Sequence, residues 1–245
     1  TAFSFGTSFE FLNDFEIGLG NSNYYEKIDT DSNASARQKT QEGNYWDSFL
    51  NLDFDLDKRN QKYQASEGFR SQYFLDLPLV SETATLQNTY VYKYFTELFE
   101  NNISSASIFL RSSTSLKDEN IKLSERINIP SNRLRGFESG KVGPKDGNDF
   151  IGGNYAATIN FTSSIPQILQ NSENIDFLVF FDAGNVWGVD YFDGDDEGSE
   201  IRSATGVAVD WLTPVGPLNF TLALPVTKAD NDKTETFRFN IGTSF

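Results

Sequence analysis

Apolar side chains recur at every second position along almost the whole chain, and no run of about 18 apolar residues breaks the pattern. The final segment sets Phe237, Phe239, Ile241, Thr243 and Phe245 on one face and Arg238, Asn240, Gly242 and Ser244 on the other. Leu218, Phe220, Leu222 and Leu224 oppose Asn219, Thr221 and Ala223 in the same way. Leu50, Leu52, Phe54 and Leu56 oppose Asn51, Asp53, Asp55 and Asp57. Similar stretches lie near residues 1–11, 14–28, 66–80, 84–98, 103–116, 151–165, 174–187 and 201–213. About eleven strands result, most of roughly 10 to 15 residues, long enough to cross a bilayer when tilted. The pattern leaves no transmembrane helix and no amphipathic helix of convincing length. The fold class expected is all-β, an antiparallel transmembrane β-barrel, with residues 1–245 as a single barrel domain.

A soluble β-sandwich would also alternate. Its strands average about five or six residues, and its polar face is rich in Lys, Glu and Thr. Here the strands are longer and the polar face carries Gly, Ala, Ser, Asn and Asp, as a crowded or aqueous lumen would. The 23 Phe and 10 Tyr form a large apolar load that a lipid-facing surface can take up. A balance of 20 basic against 35 acidic residues argues against a nucleic-acid partner. Without His or Cys there is no His-ligated zinc, thiolate or His-based acid–base chemistry. No Ser–His pair, glycine-rich phosphate loop or distinctive carboxylate pair stands out, so neither an enzyme nor a cofactor is expected.

The connections alternate too. Leu12-Asn13-Asp14 and Thr213-Pro214-Val215-Gly216-Pro217 read as tight turns, and residues 58–65 as a short basic one. Residues 29–42 and about 117–150 read as long loops. Outer-membrane barrels keep short turns inside and long loops outside, so the last strand should run down to the periplasm. With an odd strand count the first strand would start outside, and barrels normally have an even number. At least one strand is therefore expected before Thr1. The lack of any Met also suggests a processed or truncated piece.

Four stretches in order carry a resemblance. They are Arg133-Leu134-Arg135-Gly136-Phe137-Glu138-Ser139-Gly140 with Val142-Gly143-Pro144, then Phe180-Phe181-Asp182-Ala183-Gly184-Asn185-Val186-Trp187, then Trp211-Leu212-Thr213-Pro214-Val215-Gly216-Pro217-Leu218, then Phe237 to Phe245. Together they resemble the BamA family, the barrel-assembly factors of Gram-negative outer membranes. Asp57-Lys58-Arg59 with Gly68 is similar to that family's periplasmic turn, with Ala65 where a Pro is expected and hence a less rigid turn. The resemblance implies a barrel of roughly sixteen strands, of which this chain holds the last eleven or so. It implies a location in the outer membrane of a Gram-negative bacterium. The implied partners are the lipid bilayer, nascent outer-membrane barrel clients and the periplasmic lipoproteins of an assembly complex.

Alternation puts Asp182 inward with Leu178, Phe180 and Gly184, since a lipid-facing carboxylate is costly. Arg-Gly-Phe alone could be an exposed turn. The resemblance makes it a loop folded into the lumen, with Arg135 bound to Asp182 and to a Glu on the next strand. That Glu position is Asn160 here, so the site has one anion fewer and the loop would be held less tightly unless Glu138 compensates. Gly136 would let the backbone turn or pass close to the wall, and Phe137 completes the motif. The terminal strand, with Phe237, Phe239, Ile241, Gly242 and Phe245, would be a seam edge able to template another strand, and Gly242 would weaken it locally.

Asp53, Asp55 and Asp57 read as a solvated lumenal stripe rather than a calcium site. The run Asp193 to Glu197 reads as a solvated external loop. Trp187, Tyr191, Phe192, Tyr90, Tyr92 and Tyr94 are candidates for an interfacial girdle. Other readings stay open: a TamA-like factor, a two-partner secretion transporter or a passive porin-type channel. A porin should conduct stably and needs no locked lumenal Arg-Gly-Phe.

Overall fold

Strands rich in Phe, Tyr, Leu and Thr, with period-two polarity, suit a pleated sheet that meets lipid on one side. A computed structural model of the chain describes all residues except 63, 118, 167–173, 191–197, 199, 215 and 243–245. The acidic run 193–197, Tyr191, Phe192 and Phe245 lie outside the described residues. The strands are β1 (Ala2–Leu12), β2 (Phe15–Ile28), β3 (Gly43–Asp57), β4 (Gly68–Val80), β5 (Thr85–Thr96) and β6 (Ser104–Ser115). A small hairpin, β7 (Lys145–Asp146) with β8 (Asp149–Phe150), interrupts the series. It resumes with β9 (Tyr155–Ser164), β10 (Ile175–Trp187), β11 (Arg202–Thr213), β12 (Gly216–Thr227) and β13 (Phe237–Ile241). All but the hairpin join one antiparallel sheet of 11 strands, each next to its sequence neighbour, with β6 paired directly to β9. Among the described residues β1 and β13 are its two edges, so the sheet is open.

The registers fix which residues face where. Val207 of β11 lies beside Val179 of β10 and Leu222 of β12, and all three are exposed on the lipid side. Their neighbours Ala204, Ala208, Thr221 and Ala223 are buried on the concave side. That side is not a plain water channel. The segment between β6 and β9 folds into it, and Ile127, Leu134, Phe137 and Val142 pack against Phe109 and Val186 of the wall. The small wall residues leave room for this. Ala204 and Ala223 lie directly against the backbone of Gly136 in that segment.

The connections separate into two ends. The 13–14 and 58–67 turns share one end, and the 29–42, 116–154 and 228–236 loops share the other. Residues 29–42 hold a single helical turn, α1 (Ala36–Lys39), closed by a capping box between Ser35 and Gln38. Among the described residues the terminal strand covers Phe237–Ile241, and Gly242, at φ +112°, still donates its N–H to the Pro217 carbonyl at 2.9 Å. One expectation changes. Tyr90, Tyr92 and Tyr94 sit opposite Leu110, Ile108 and Ala106 on the lipid face. They span about 13 Å of strand at roughly 3.3 Å per residue, so they form a stripe across the apolar band rather than a girdle at one interface.

Replacing Val207 by Arg in the full-length protein is expected to cost about 2–4 kcal/mol, as for a cation near the bilayer midplane. Guanidinium unfolding in lipid vesicles measures it. A loss within experimental error would mean that this face does not meet lipid.

Candidate functional site at the lumenal loop

β10 carries Asp182 inward in the middle of the sheet, where it is fully buried. An ionised carboxylate there has about four acceptor positions to fill. The loop after β6 delivers three donors. Arg135 Nε donates to Oδ2 at 2.7 Å and Nη2 to Oδ1 at 2.7 Å. The Arg135 backbone N–H donates to Oδ2 at 3.0 Å. The fourth donor is Asn160 Nδ2, 2.8 Å from Oδ1. The guanidinium also lies over the Phe180 ring, 3.6 Å from its centroid, and Nη2 is 3.3 Å from Thr162 Oγ1. This is a bidentate, charge-assisted pair with every carboxylate position used.

Asn160 changes the expectation of a loosely held loop. Directly across from Asp182 in the ladder, its amide also donates to the Arg133 carbonyl at 2.7 Å. A neutral donor thus bridges wall and loop where the resemblance implied a second anion. Glu138 does not compensate. It is exposed, and it joins the neighbouring loop through its backbone N–H to the Lys233 carbonyl, 2.9 Å away. Gly136, at φ +91°, carries the backbone past the wall, where a Cβ would meet Ala204 Cβ at 3.0 Å and Ala223 Cβ at 3.2 Å. Phe137 is buried in the lumenal apolar cluster.

The other predicted residues lie apart from this site. Asp57 holds Arg59 through two bonds of 2.8 and 2.6 Å at the opposite end of β3. Gly68, at φ +94°, closes that turn, where a Cβ would lie 2.1 Å from the Lys58 carbonyl oxygen. Ala65 is buried, and Asn60 Oδ1 accepts from the Ser66 and Glu67 amides, so the turn is fastened without the expected proline. Asp55 pairs with Arg70 at 2.6 Å. The acidic stripe is thus partly neutralised by arginines, and no group of three or more potential metal ligands occurs among the described residues. Phe237, Phe239 and Ile241 are exposed on the lipid face of β13, with Phe239 packed on Phe220 at 4.9 Å between ring centroids.

Three buried charge clusters were not anticipated. Arg202 of β11 holds Asp232 through bonds of 2.8 and 3.0 Å and also donates to Asn185. Arg126 pairs with Asp190 at 2.8 Å. Lys122 is almost fully buried, donates to Asp47 and to Glu26 (3.0 Å), and lies 3.6 Å from Glu125. Burial alone would lower the Lys122 pKa, but Asp47 and the two glutamates outweigh it and hold it above 10.5. Burial pushes the Glu125 carboxyl up. Arg202 was legible in principle, as a charge on the small-residue face of its strand. Asp232, Asp190 and Lys122 sit in loops, where no periodicity reports facing.

A family model describing the Omp85 superfamily domain matches residues 1–245, the whole chain. The chain belongs to the Omp85 superfamily. Relatives within it include the outer membrane protein assembly factor BamA of Neisseria meningitidis serogroup B, 30% identical over 139 residues. That match covers 46% of this chain and 17% of the relative. BamA of Nitratidesulfovibrio vulgaris is 22% identical over 230 residues, covering 90% of this chain and 28% of the relative. The crystal structure of BamA from Haemophilus ducreyi lacking POTRA domains 1–3 superposes with a TM-score of 0.84 at 22% identity. It shares the fold over 96% of this chain and 52% of that one. This Omp85 chain therefore spans less than a third of the curated relatives' length. It is an outer-membrane β-barrel sheet of the BamA type.

Asp182→Asn is expected to cost up to about 3 kcal/mol, because it takes the counter-charge from the partly buried Arg135 guanidinium. Asn160→Asp should also destabilise, since it sets a second anion beside Asp182 and removes both bridging donors. Protease cleavage within residues 133–140 of the full-length protein is expected to quicken in both variants. Wild-type resistance in either variant would contradict the anchor.

Proposed function

We propose that this chain serves in an outer-membrane protein assembly factor that promotes the folding and insertion of β-barrel clients. The observation that carries the reading is the arrangement of the lumenal loop and the edge strand. The loop is bolted to Asp182 on one side and pairs through its backbone with the segment entering β13 on the other. Among the described residues the register of β13 with β12 runs from Leu218 to Leu222, shorter than the registers elsewhere in the sheet. An edge with free N–H and C=O groups can accept a further strand. Its lipid-facing Phe237, Phe239 and Ile241 would leave an added hairpin already at bilayer depth.

The names of the curated relatives support the same reading. The factor works without making or breaking covalent bonds and needs no cofactor. Its partners are the bilayer, unfolded outer-membrane proteins and periplasmic lipoproteins of an assembly complex. A passive channel is disfavoured by the segment from β6 to β9, which packs Ile127, Leu134, Phe137 and Val142 against the concave side of the wall.

Full-length protein reconstituted in liposomes is expected to speed the folding of an added, urea-unfolded outer-membrane barrel over empty liposomes. Acquired protease resistance gives the rate. No acceleration would overturn the assembly reading.

A further inference from the structure

Arg238 is one of the two inward residues of β13, with Asn240, set between lipid-facing Phe237 and Phe239 and opposite buried Thr221. An unpartnered guanidinium on that face would be costly. Its donors go to the lumenal loop. Nη1 donates to the Ser131 carbonyl at 2.5 Å and Nη2 to the Phe137 carbonyl at 2.8 Å. Nε donates to Glu235 at 2.8 Å, which supplies the counter-charge from the same segment. Around this fork the backbones also meet. The Glu235 N–H reaches the Gly136 carbonyl at 3.0 Å, Lys233 N–H reaches Lys141 at 3.2 Å, and Phe137 bridges Thr234. One guanidinium therefore grips both sides of the Arg-Gly-Phe turn, whose Arg135 is fixed to β10.

We propose that Arg238 is a positioning residue that ties the edge strand β13 to the anchored lumenal loop, so that the hold of Asp182 on Arg135 sets how readily the edge frees itself. Backbone bonds to β12 run from the Thr236 carbonyl, which accepts from Ala223, to the Gly242 N–H, which donates to Pro217, and the fork adds a side-chain restraint on the strand from the lumenal side. A shorter amide side chain at position 238 cannot reach both carbonyls. A lysine keeps the charge but serves one carbonyl at a time. The consequence for client insertion rests on the assembly reading above, whereas the restraint itself does not.

Hydrogen exchange on the full-length protein in lipid nanodiscs tests it. Arg238→Gln is expected to speed exchange of the 237–241 amides about tenfold, with β6 unchanged. Arg238→Lys should fall between. It also keeps the test open should the Gln variant fail to fold. Asp182→Asn alone should loosen the same amides, and adding Arg238→Gln should then add little, because both act through one loop. Unchanged exchange in Arg238→Gln or Arg238→Lys would overturn the proposal, as would fully additive effects in the double variant. Absence of liposome assembly activity in the wild-type protein, with the exchange differences intact, would count against the assembly reading alone.

Discussion

A buried carboxylate must find its donors, and in this sheet the need of Asp182 organises what surrounds it. The wall can offer only Asn160 from the neighbouring strand. The remaining donors come from a loop that has to leave β6, enter the concave side and present both a side chain and its own amide. That demand explains the residues around it. Gly136 takes a backbone conformation closed to other residues and slides past two alanines. Phe180 offers its ring to the guanidinium face. The apolar residues before and after the turn then fill the space the loop has claimed.

The same logic repeats at the loop's other boundary. Arg202 and Asp232 form a fully buried pair that holds the segment after β12 against β11. That segment gives the loop its backbone partners, from Lys233 to Glu235. Asn160, Asp182, Arg135, Asp232 and Arg202 thus form a run of polar links from β9 to β11 through two loops. Such links contribute little net stability when compared with well-packed apolar substitutes, but each is expensive to half-remove. Their effect is to specify one position for the loop.

Much of this was readable from residue order, for a physical reason. A strand with one face in lipid has a period of two, and Asp182, Thr221 and Leu222 declared their sides by parity alone. The eleven strands and the inward carboxylate followed. What parity could not report was partnership in loops. Asn160 read as a missing charge, because a sequence shows that an anion is absent but not that an amide can donate twice. Glu138 read as a possible substitute, because its distance along the chain from Arg135 says nothing of its direction. Gly242 was legible as a weakness in the strand, and it takes a positive φ there.

The fork at Arg238 has a kinetic meaning. Ser131 and Phe137 precede it by 107 and 101 residues, so these contacts close a very large loop in sequence. Contacts of that separation form late in folding, after local hairpins have zipped. The lumenal turn therefore reaches its final position only when the strand carrying Arg238 has joined the sheet. Completion of the wall and seating of its interior are one event, and a chain that stalls before it leaves the turn loose and open to proteolysis.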